Sequence, residues 1–113
     1  MRRGEVWVAN LNPQRGSEVG KIRPVLILHA NELLEAGSPV VIVLPLTSNV
    51  RPALRQFRVT LPARDRLLAD SQIMVDQLRT LNRNRIGDGP LTTLMDAELN
   101  TVERSLLGML GVL

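Results

Sequence analysis

The chain has 113 residues, the length of one domain, and 44% of them are apolar, which is enough for one core. It contains no cysteine and one histidine, which argues against disulfides, thiolate chemistry and a metal site with imidazole ligands. The net charge of +3 is modest for a protein dedicated to binding nucleic acid.

The distribution of charge is more informative than its sum. Residues 1–60 carry eight basic and four acidic side chains, whereas residues 61–113 carry six and seven. Thirteen of the fourteen basic residues are arginine. Genomic base composition could explain that preference, and a phosphate-facing surface on the first half of the chain is held equally open. The stretch between positions 37 and 64 has no acidic residue and contains four arginines, Arg51, Arg55, Arg58 and Arg64.

The N-terminal sequence lacks the apolar run of a signal peptide. The longest apolar run, 40–46, is shorter than the ~20 residues that span a bilayer. We therefore expect a cytoplasmic protein with a single domain over residues 1–113 and without a metal or cofactor.

Five segments have the composition or alternation of β-strands. The most apolar of them, 40–44, is predicted to be buried on both faces, with Pro45 ending or bending it. Short turns are expected at 31–37, as one helical turn or a wide loop, and at 81–85. Short strands joined by polar turns predict a small barrel or a curled antiparallel sheet. The predicted strands are 5–11, 23–28, 40–44, 56–61 and 71–80.

One convincing helix follows the strands. Thr93 and Asp96 have the spacing of a capping box, apolar residues then recur at steps of three and four, and Gly111 is expected to end the helix. The last segment, 106–113, is too apolar to be covered on one side only. It is therefore predicted to pack against a second copy of the chain.

A polar loop leads directly into the second strand and ends in a candidate anion site. Pro24 forces Arg23 into an extended conformation, and a guanidinium binds phosphate oxygens through paired N–H groups. Alternatively, this is an ordinary loop whose arginine pairs with a surface carboxylate. Thr47 stands at the exit of the buried strand, where hydroxyl side chains usually bind loop backbone. Asp76, an acid within a predicted strand, is explained most simply by an edge position or an arginine partner.

Several motifs occur together in one order. The chain starts with Arg-Gly-Glu-Val-Trp at 3–7, Leu-Asn-Pro at 11–13 and Gly-Ser-Glu at 16–18, followed by Gly20. Arg-Pro-Val-Leu at 23–26, Val-Leu-Pro-Leu-Thr-Ser at 43–48 and Asp-Gln-Leu-Arg-Thr-Leu at 76–81 come later. In this order and spacing they resemble the MazF/PemK family of toxins from bacterial toxin–antitoxin pairs, and the resemblance spans nearly the whole chain.

The resemblance implies a fold and an activity that the composition alone does not indicate. The fold would be α+β and mostly β, a small SH3-like antiparallel β-barrel with a C-terminal α-helix. The protein would be a homodimer and a metal-independent endoribonuclease that cuts single-stranded RNA, chiefly mRNA, at short sequence motifs. A cognate MazE-like antitoxin would inhibit it by laying an extended acidic tail over the RNA-binding groove.

The family motifs also imply roles for single residues. Arg23 and Thr47 match the catalytic pair of the MazF branch, and the 16–18 loop would gate the substrate and contribute the carboxylate of Glu18. The PemK/Kid branch instead uses a histidine and an arginine at positions that here hold Ser17 and Met74. Only Asp76 matches that branch, so the version with Arg23 and Thr47 is favoured.

Metal-free cleavage requires the ribose 2′-hydroxyl to attack its own phosphorus, giving a 2′,3′-cyclic phosphate and a 5′-hydroxyl. Arg23 would bind the phosphate and Thr47 would donate a hydrogen bond to it. Because arginine keeps its proton, the base is sought elsewhere, with Glu18 first and Asp76 second. His29 is assigned to a partly buried strand end. Residues expected to contact RNA are Ser17, Lys21, Ser48, Asn49, Arg51, Arg55, Arg58, Gln77 and Arg79.

Two other functions remain open at this stage. One is a gyrase-binding toxin of the same fold, like CcdB, which depends on a tryptophan near its C-terminus. Here the only tryptophan is Trp7. The other is an inert nucleic-acid-binding barrel, against which the intact pair of Arg23 and Thr47 argues.

Overall fold

The structure, a computed structural model, describes residues 1–54 and 58–113. Within them, the strands form one antiparallel sheet with the order β4-β5-β3-β2-β1-β7, and β6 also pairs with β3, on the edge opposite β2. A short helix α1 (Asn31–Glu35) and a long helix α2 (Asp96–Met109) accompany the sheet. The strands are β1 (Glu5–Asn10), β2 (Ile22–Ile27), β3 (Val40–Thr47), β4 (Arg58–Leu61), β5 (Ser71–Met74), β6 (Arg79–Asn82) and β7 (Thr92–Thr93).

Strand β3 makes the sheet curl because it changes partners along its length. Its first half, residues 40–43, pairs with β6, and its last two residues, 46 and 47, pair with β5. The sheet therefore closes into a half-barrel, and the predicted fold class, mostly β with a C-terminal helix, is confirmed. No helix in residues 1–54 and 58–113 has the length and apolar character needed to cross a membrane.

Alternation along the central strands divides the core into two clusters on opposite faces of the sheet. Leu26 and Leu44 belong to the cluster that packs against α2 through the fully buried Val102. Val25 and Val43, one step away along the same strands, belong to the cluster that includes Leu34 of α1. Both clusters are built from aliphatic side chains, as the scarcity of aromatic residues requires.

The third predicted strand, 40–44, is longer and more exposed than expected. It continues through Pro45, which lies opposite Val25, to Thr47. The expectation of burial on both faces is wrong for its first half, where Val40 and Ile42 are 40% and 38% exposed. Nothing within the described chain covers that face, whereas from Val43 onward every residue of the strand is buried.

The predicted strand over 71–80 is two strands. A 3₁₀ turn over Val75–Gln77 separates β5 from β6, so the expected alternation of faces does not continue past Met74. The interruption falls at Asp76, whose residue type is disfavoured in strands. As a result β5 pairs with β3 and β4, whereas β6 pairs with the other half of β3.

Helix α2 begins later than its sequence pattern predicts. Thr93 lies in β7, and the carboxylate of Glu98 accepts the Met95 N–H at 2.8 Å, so the capping box predicted for Thr93 and Asp96 is wrong. The end of the helix is as predicted, because Gly111 follows it with a positive φ of 75°.

Candidate functional site

The pairing of β2 with β3 brings Arg23 and Thr47 towards each other. In this antiparallel pair Val25 lies opposite Pro45. Two residues further along each strand, the same register sets Arg23 opposite Thr47, and opposite residues of antiparallel strands carry their side chains on one face. Both residues line one surface cavity.

This Arg23 cavity has a volume of about 560 Å³, within the range of roughly 300–1,000 Å³ that small-ligand sites occupy. Its walls come from the start of β2, the exit of β3 and the segment 66–69. The lining residues are Lys21, Ile22, Arg23, Pro24, Leu46, Thr47, Ser48, Asn49, Arg66, Leu67, Leu68, Ala69, Ser71 and Leu91.

Arg23 is partly buried, and the preceding loop holds it. Its Nε–H donates to the carbonyl oxygen of Gly20 at 2.8 Å. This bond fixes the plane of the guanidinium, and both terminal nitrogens carry further N–H groups that can bind an anion. The arginine is thus preorganised by the 16–21 loop without being neutralised by a carboxylate in the described chain. The alternative of an ordinary arginine–carboxylate surface pair is therefore not what the structure has.

Thr47, the last residue of β3, is 8% exposed. Its Oγ1 accepts the backbone N–H of Asn49 at 3.1 Å. A hydroxyl that accepts one bond in this way still has its own hydrogen to donate. The threonine therefore binds loop backbone, as such residues usually do, and at the same time can offer a donor in the Arg23 cavity.

Gln72 fixes the loop that follows Thr47, and the sequence analysis did not identify it. It lies opposite Thr47 in β5 and is 1% exposed. Its amide binds both backbone groups of Arg51, accepting the N–H at 3.0 Å and donating to the carbonyl at 3.0 Å. The two hydrogen bonds offset the cost of burying the amide and hold the loop in place at Arg51. The only signal in the sequence is an amide directly before the apolar residues Ile73 and Met74 of the strand.

The two candidate proton acceptors line a different cavity. Glu18 and Asp76 occur in the Asp76 cavity, which has a volume of about 520 Å³. The structure therefore does not bring either carboxylate into the Arg23 cavity within one chain. The residues lining the Asp76 cavity are Ser17, Glu18, Asp76, Gln77, Leu78, Arg79 and Thr80.

Gln77 and Arg79, both expected near RNA, bind the backbone of the 16–21 loop in the structure. The Gln77 amide accepts the Val19 N–H at 3.3 Å and donates to the Ser17 carbonyl at 3.1 Å. Arg79 Nη1 donates to the Val19 carbonyl at 3.2 Å. The loop that reaches Arg23 at one end is thus anchored in the Asp76 cavity at the other.

Arg58 does not belong to an exposed arginine surface, and that prediction is wrong. Its side chain is 13% exposed and its Nε lies 3.6 Å from Oδ1 of Asp76, an ion pair without a hydrogen bond. Burial of the strand draws the guanidinium inward, and the carboxylate of Asp76 compensates its charge. The simple explanation of Asp76, an arginine partner, is confirmed.

The remaining predicted residues are distributed as follows. Lys21, Ser48 and Asn49 are exposed at the Arg23 cavity, and Arg51 is exposed beside them. Arg55 lies outside the described residues. Across 1–54 and 58–113, no group of three or more histidine, aspartate or glutamate side chains is arranged to hold a metal ion.

The far wall of the Arg23 cavity, 66–69, continues from a turn over residues 64–67. Paired backbone bonds of 2.9 and 2.8 Å between Arg64 and Leu67 close this turn. Arg64 binds Glu98 of α2 through two bonds of 2.7 Å. This hydrogen-bonded pair raises the pKa of Arg64 and lowers the pKa of Glu98. The turn is therefore fastened to helix α2 by a charge-assisted, two-point contact.

Comparisons with known proteins agree with one another. The model of the family described as PemK-like, MazF-like toxin of type II toxin–antitoxin system matches residues 2–110. Endoribonuclease MazF of Staphylococcus saprophyticus is 38% identical over 113 residues, covering 99% of this chain and 92% of that protein. MazF (Form-I) from Deinococcus radiodurans is similar in structure, with a TM-score of 0.82, 28% identity and coverage of 98% and 96%. The MazE–MazF (Form-II) structure from the same organism matches with a TM-score of 0.76, 27% identity and coverage of 100% and 97%.

Proposed function

The chain belongs to the family of PemK-like and MazF-like toxins and is an endoribonuclease toxin, and we propose that it cuts single-stranded mRNA at the Arg23 cavity without a metal. The observation that carries the proposal is the common cavity of Arg23 and Thr47. A fixed cation and a hydroxyl donor at one surface site can stabilise the negative charge that develops on the phosphate oxygens during cleavage.

In the proposed reaction the ribose 2′-oxygen attacks the adjacent phosphorus while the bond to the 5′-oxygen breaks. The 2′-hydroxyl loses its proton and the departing 5′-oxygen gains one, so the products are a 2′,3′-cyclic phosphate and a 5′-hydroxyl. Arg23 binds the non-bridging oxygens through its terminal N–H groups, and Thr47 donates to the same phosphate. Both act mainly by position and charge, because neither has to move when the charge develops.

Glu18 is proposed as the proton acceptor, with Asp76 as the second choice. Glu18 is exposed and belongs to the loop whose other end, Gly20, binds Arg23. For Glu18 to act, the loop has to release its bonds to Gln77 and Arg79 and carry the carboxylate toward the Arg23 cavity. Asp76 is less suited because its partner is Arg58.

RNA is proposed to enter along the exposed polar rim of the Arg23 cavity. Lys21 and Arg51 would attract the backbone electrostatically, and Ser48 and Asn49 would bind sugar or base edges. Ser17 and Arg79 would contact RNA on the far side once the loop moves, whereas Gln77, although near the RNA, would act only by holding the loop. Arg58 contributes indirectly, by pairing with Asp76.

A homodimer and a MazE-like antitoxin complete the proposal. The C-terminal end exposes an apolar group that a second copy would cover, which predicts twice the chain mass in light scattering. The similar MazE–MazF structure contains toxin and antitoxin together, which supports an antitoxin partner here. We propose that an acidic, extended antitoxin segment would bind over the Arg23 cavity. Since the substrate is mRNA, the proposed location is the cytoplasm. The exposed apolar residues are Leu107, Met109, Leu110, Val112 and Leu113.

The test is incubation of the purified protein with a long single-stranded RNA in excess EDTA. Discrete fragments with 5′-hydroxyl ends are expected. Arg23→Ala should abolish them while leaving the fold intact, whereas Arg104→Ala, which removes an exposed arginine from α2, should cut normally. Retarded RNA without cleavage would indicate an inert binding module, and normal cleavage by Arg23→Ala would contradict the assignment of the site.

A further inference from the structure

An exposed leucine stands at the rim of the Arg23 cavity on a rigid support. Leu68 is 89% exposed and directly follows the 64–67 turn. Single exposed apolar residues are common on protein surfaces, so exposure alone means little. This leucine is distinguished by its support and by what faces the same cavity.

The support is fastened at each residue of the turn before Leu67. Arg64 binds Glu98, and the Asp65 carboxylate accepts the Thr92 hydroxyl at 2.6 Å. Arg66 binds both carboxylate oxygens of Asp88 at 2.9 and 3.0 Å. A side chain carried by such a turn loses little entropy when a ligand packs on it, because its backbone is already fixed.

Ile22 supplies a second apolar surface at the same cavity. It is 67% exposed, begins β2 and directly precedes Arg23. Neither Ile22 nor Leu68 belongs to the two core clusters of the described residues. We propose that Ile22 and Leu68 form an apolar slot that holds the nucleobase next to the scissile phosphate and thereby selects the nucleotide at that position.

This inference rests on the proposed function, since a phosphate at Arg23 and Thr47 carries its nucleoside into the same cavity. A base has flat faces that pack on apolar side chains, and polar edges that Ser48 and Asn49 can bind at this cavity. The volume of about 560 Å³ is sufficient for more than a phosphate group.

Aromatic side chains, the usual stacking partners of bases, are scarce in this chain. The sequence has only Trp7 and Phe57. Trp7 packs so closely on Gly89 that a Cβ there would lie 2.3 Å from the indole, and it does not line the Arg23 cavity. Phe57 lies outside the described residues. Among the described residues, no aromatic side chain lines this cavity, and the apolar side chains that can pack on a base there are aliphatic.

The experiment is a double-mutant cycle between protein and RNA, done after the cut site on a defined RNA has been mapped. An intact synthetic RNA is compared with two derivatives that each carry one abasic ribose. In one derivative the abasic ribose is on the 5′ side of the scissile phosphate, and in the other it is on the 3′ side. The proteins are wild type, Leu68→Ser, Ile22→Ser and the control Leu33→Ser, which truncates a leucine of α1 that is 53% exposed.

For the abasic position that faces the slot, wild type is expected to lose about tenfold in kcat/KM, mainly through KM. Leu68→Ser and Ile22→Ser should show a similar loss on the intact RNA and little further loss on the abasic one. Strong coupling of this kind indicates direct contact. Mapped cuts should also tolerate more bases at that position, whereas Leu33→Ser should match wild type throughout.

The slot is contradicted if protein and RNA changes are simply additive, or if Leu68→Ser and Ile22→Ser keep wild-type rates and cut sites. It is equally contradicted if Leu68→Ser only splits the dimer, or only weakens an acidic antitoxin peptide, because Leu68 then serves another partner. Failure of wild type to cut any RNA in EDTA would instead contradict the proposed function itself.

Discussion

The two cavities contain similar polar residues but use them differently. At the Arg23 cavity, Arg23 and Thr47 each make one bond to nearby backbone and keep further N–H or O–H groups for a ligand. At the Asp76 cavity, the side chains of Gln77 and Arg79 bind the backbone of the 16–21 loop. The first arrangement is typical of a site that acts on a ligand, and the second is typical of a support.

The difference shows that some of the family motifs supply groups that can act on a ligand, whereas others hold the structure in place. The Arg-Pro motif and the strand-end threonine are preorganised and available, whereas the Asp-Gln-Leu-Arg motif holds a loop and balances Arg58. The loop joins the two cavities, since Gly20 binds Arg23 while Ser17 and Val19 are held by Gln77 and Arg79. Variants that separate reaction rate from stability can test this division.

After the loss of cleavage expected for Arg23→Ala, the largest effect is expected for Thr47→Val, which keeps the shape of the side chain and removes its hydroxyl. Losing one preorganised donor to a transition-state anion costs ~3 kcal/mol, about a hundredfold in kcat. Thr47→Ser should retain most activity, and Thr101→Val, on the exposed side of α2, should match wild type. Single-turnover cleavage with circular dichroism as a folding check measures this. If Thr47→Val cuts RNA at the wild-type rate, the Thr47 hydroxyl has no part in the reaction. The assignment of the Arg23 cavity as the reactive site and of the Asp76 cavity as a support would then be contradicted.

The Arg23–Thr47 pair could be predicted from the sequence, whereas the contacts of Gln72 and Arg58 could not. Arg23 and Thr47 lie at strand ends, and their proximity follows from a simple antiparallel register once β2 and β3 are recognised. The role of Gln72 and the inward position of Arg58 depend on which strands pair with β5, and that pairing depends on the change of partner at Pro45. Local patterns also missed the 3₁₀ turn at Val75–Gln77, because alternation carries no information about where a strand changes sheet neighbours.

The next largest effect is expected at Asp76, which is either the ion-pair partner of Arg58 or the proton acceptor of the reaction. If Asp76 balances Arg58, then Asp76→Asn leaves a largely buried guanidinium without its partner and lowers the free energy of unfolding by about 1–2 kcal/mol. Cleavage by the folded variant should stay within severalfold of wild type. Asp96→Asn, at the exposed start of α2, is the control. Unchanged stability together with abolished cleavage would instead identify Asp76 as the proton acceptor.

A smaller, pH-dependent effect is expected at the far wall of the Arg23 cavity. The hydrogen bond from Arg64 lowers the pKa of Glu98 below its ordinary value of 4.5. A carboxylate with a lowered pKa contributes stability above its ordinary pKa and loses it as the pH falls through the lowered value. Glu98→Gln should therefore cost about 1 kcal/mol at pH 7 and little at pH 2.5, measured by urea unfolding. A difference that is the same at both pH values would show that the charge of Glu98 does not fasten the turn.

The smallest effect is expected for Gln77→Ala, which removes the two amide bonds to the 16–21 loop. Each bond is partly exposed, so the loop should lose about 0.5–1 kcal/mol of local stability and the Val19 amide should exchange roughly twofold to fivefold faster. Thr80→Ala, a truncation in the same cavity without a bond to the loop among the described residues, is the control. If the loop must leave the Asp76 cavity to carry Glu18 toward Arg23, Gln77→Ala should cleave RNA as fast as wild type or slightly faster. A large loss of cleavage with unchanged exchange would mean that Gln77 contacts the substrate directly, and the Asp76 cavity would then be part of the reactive site.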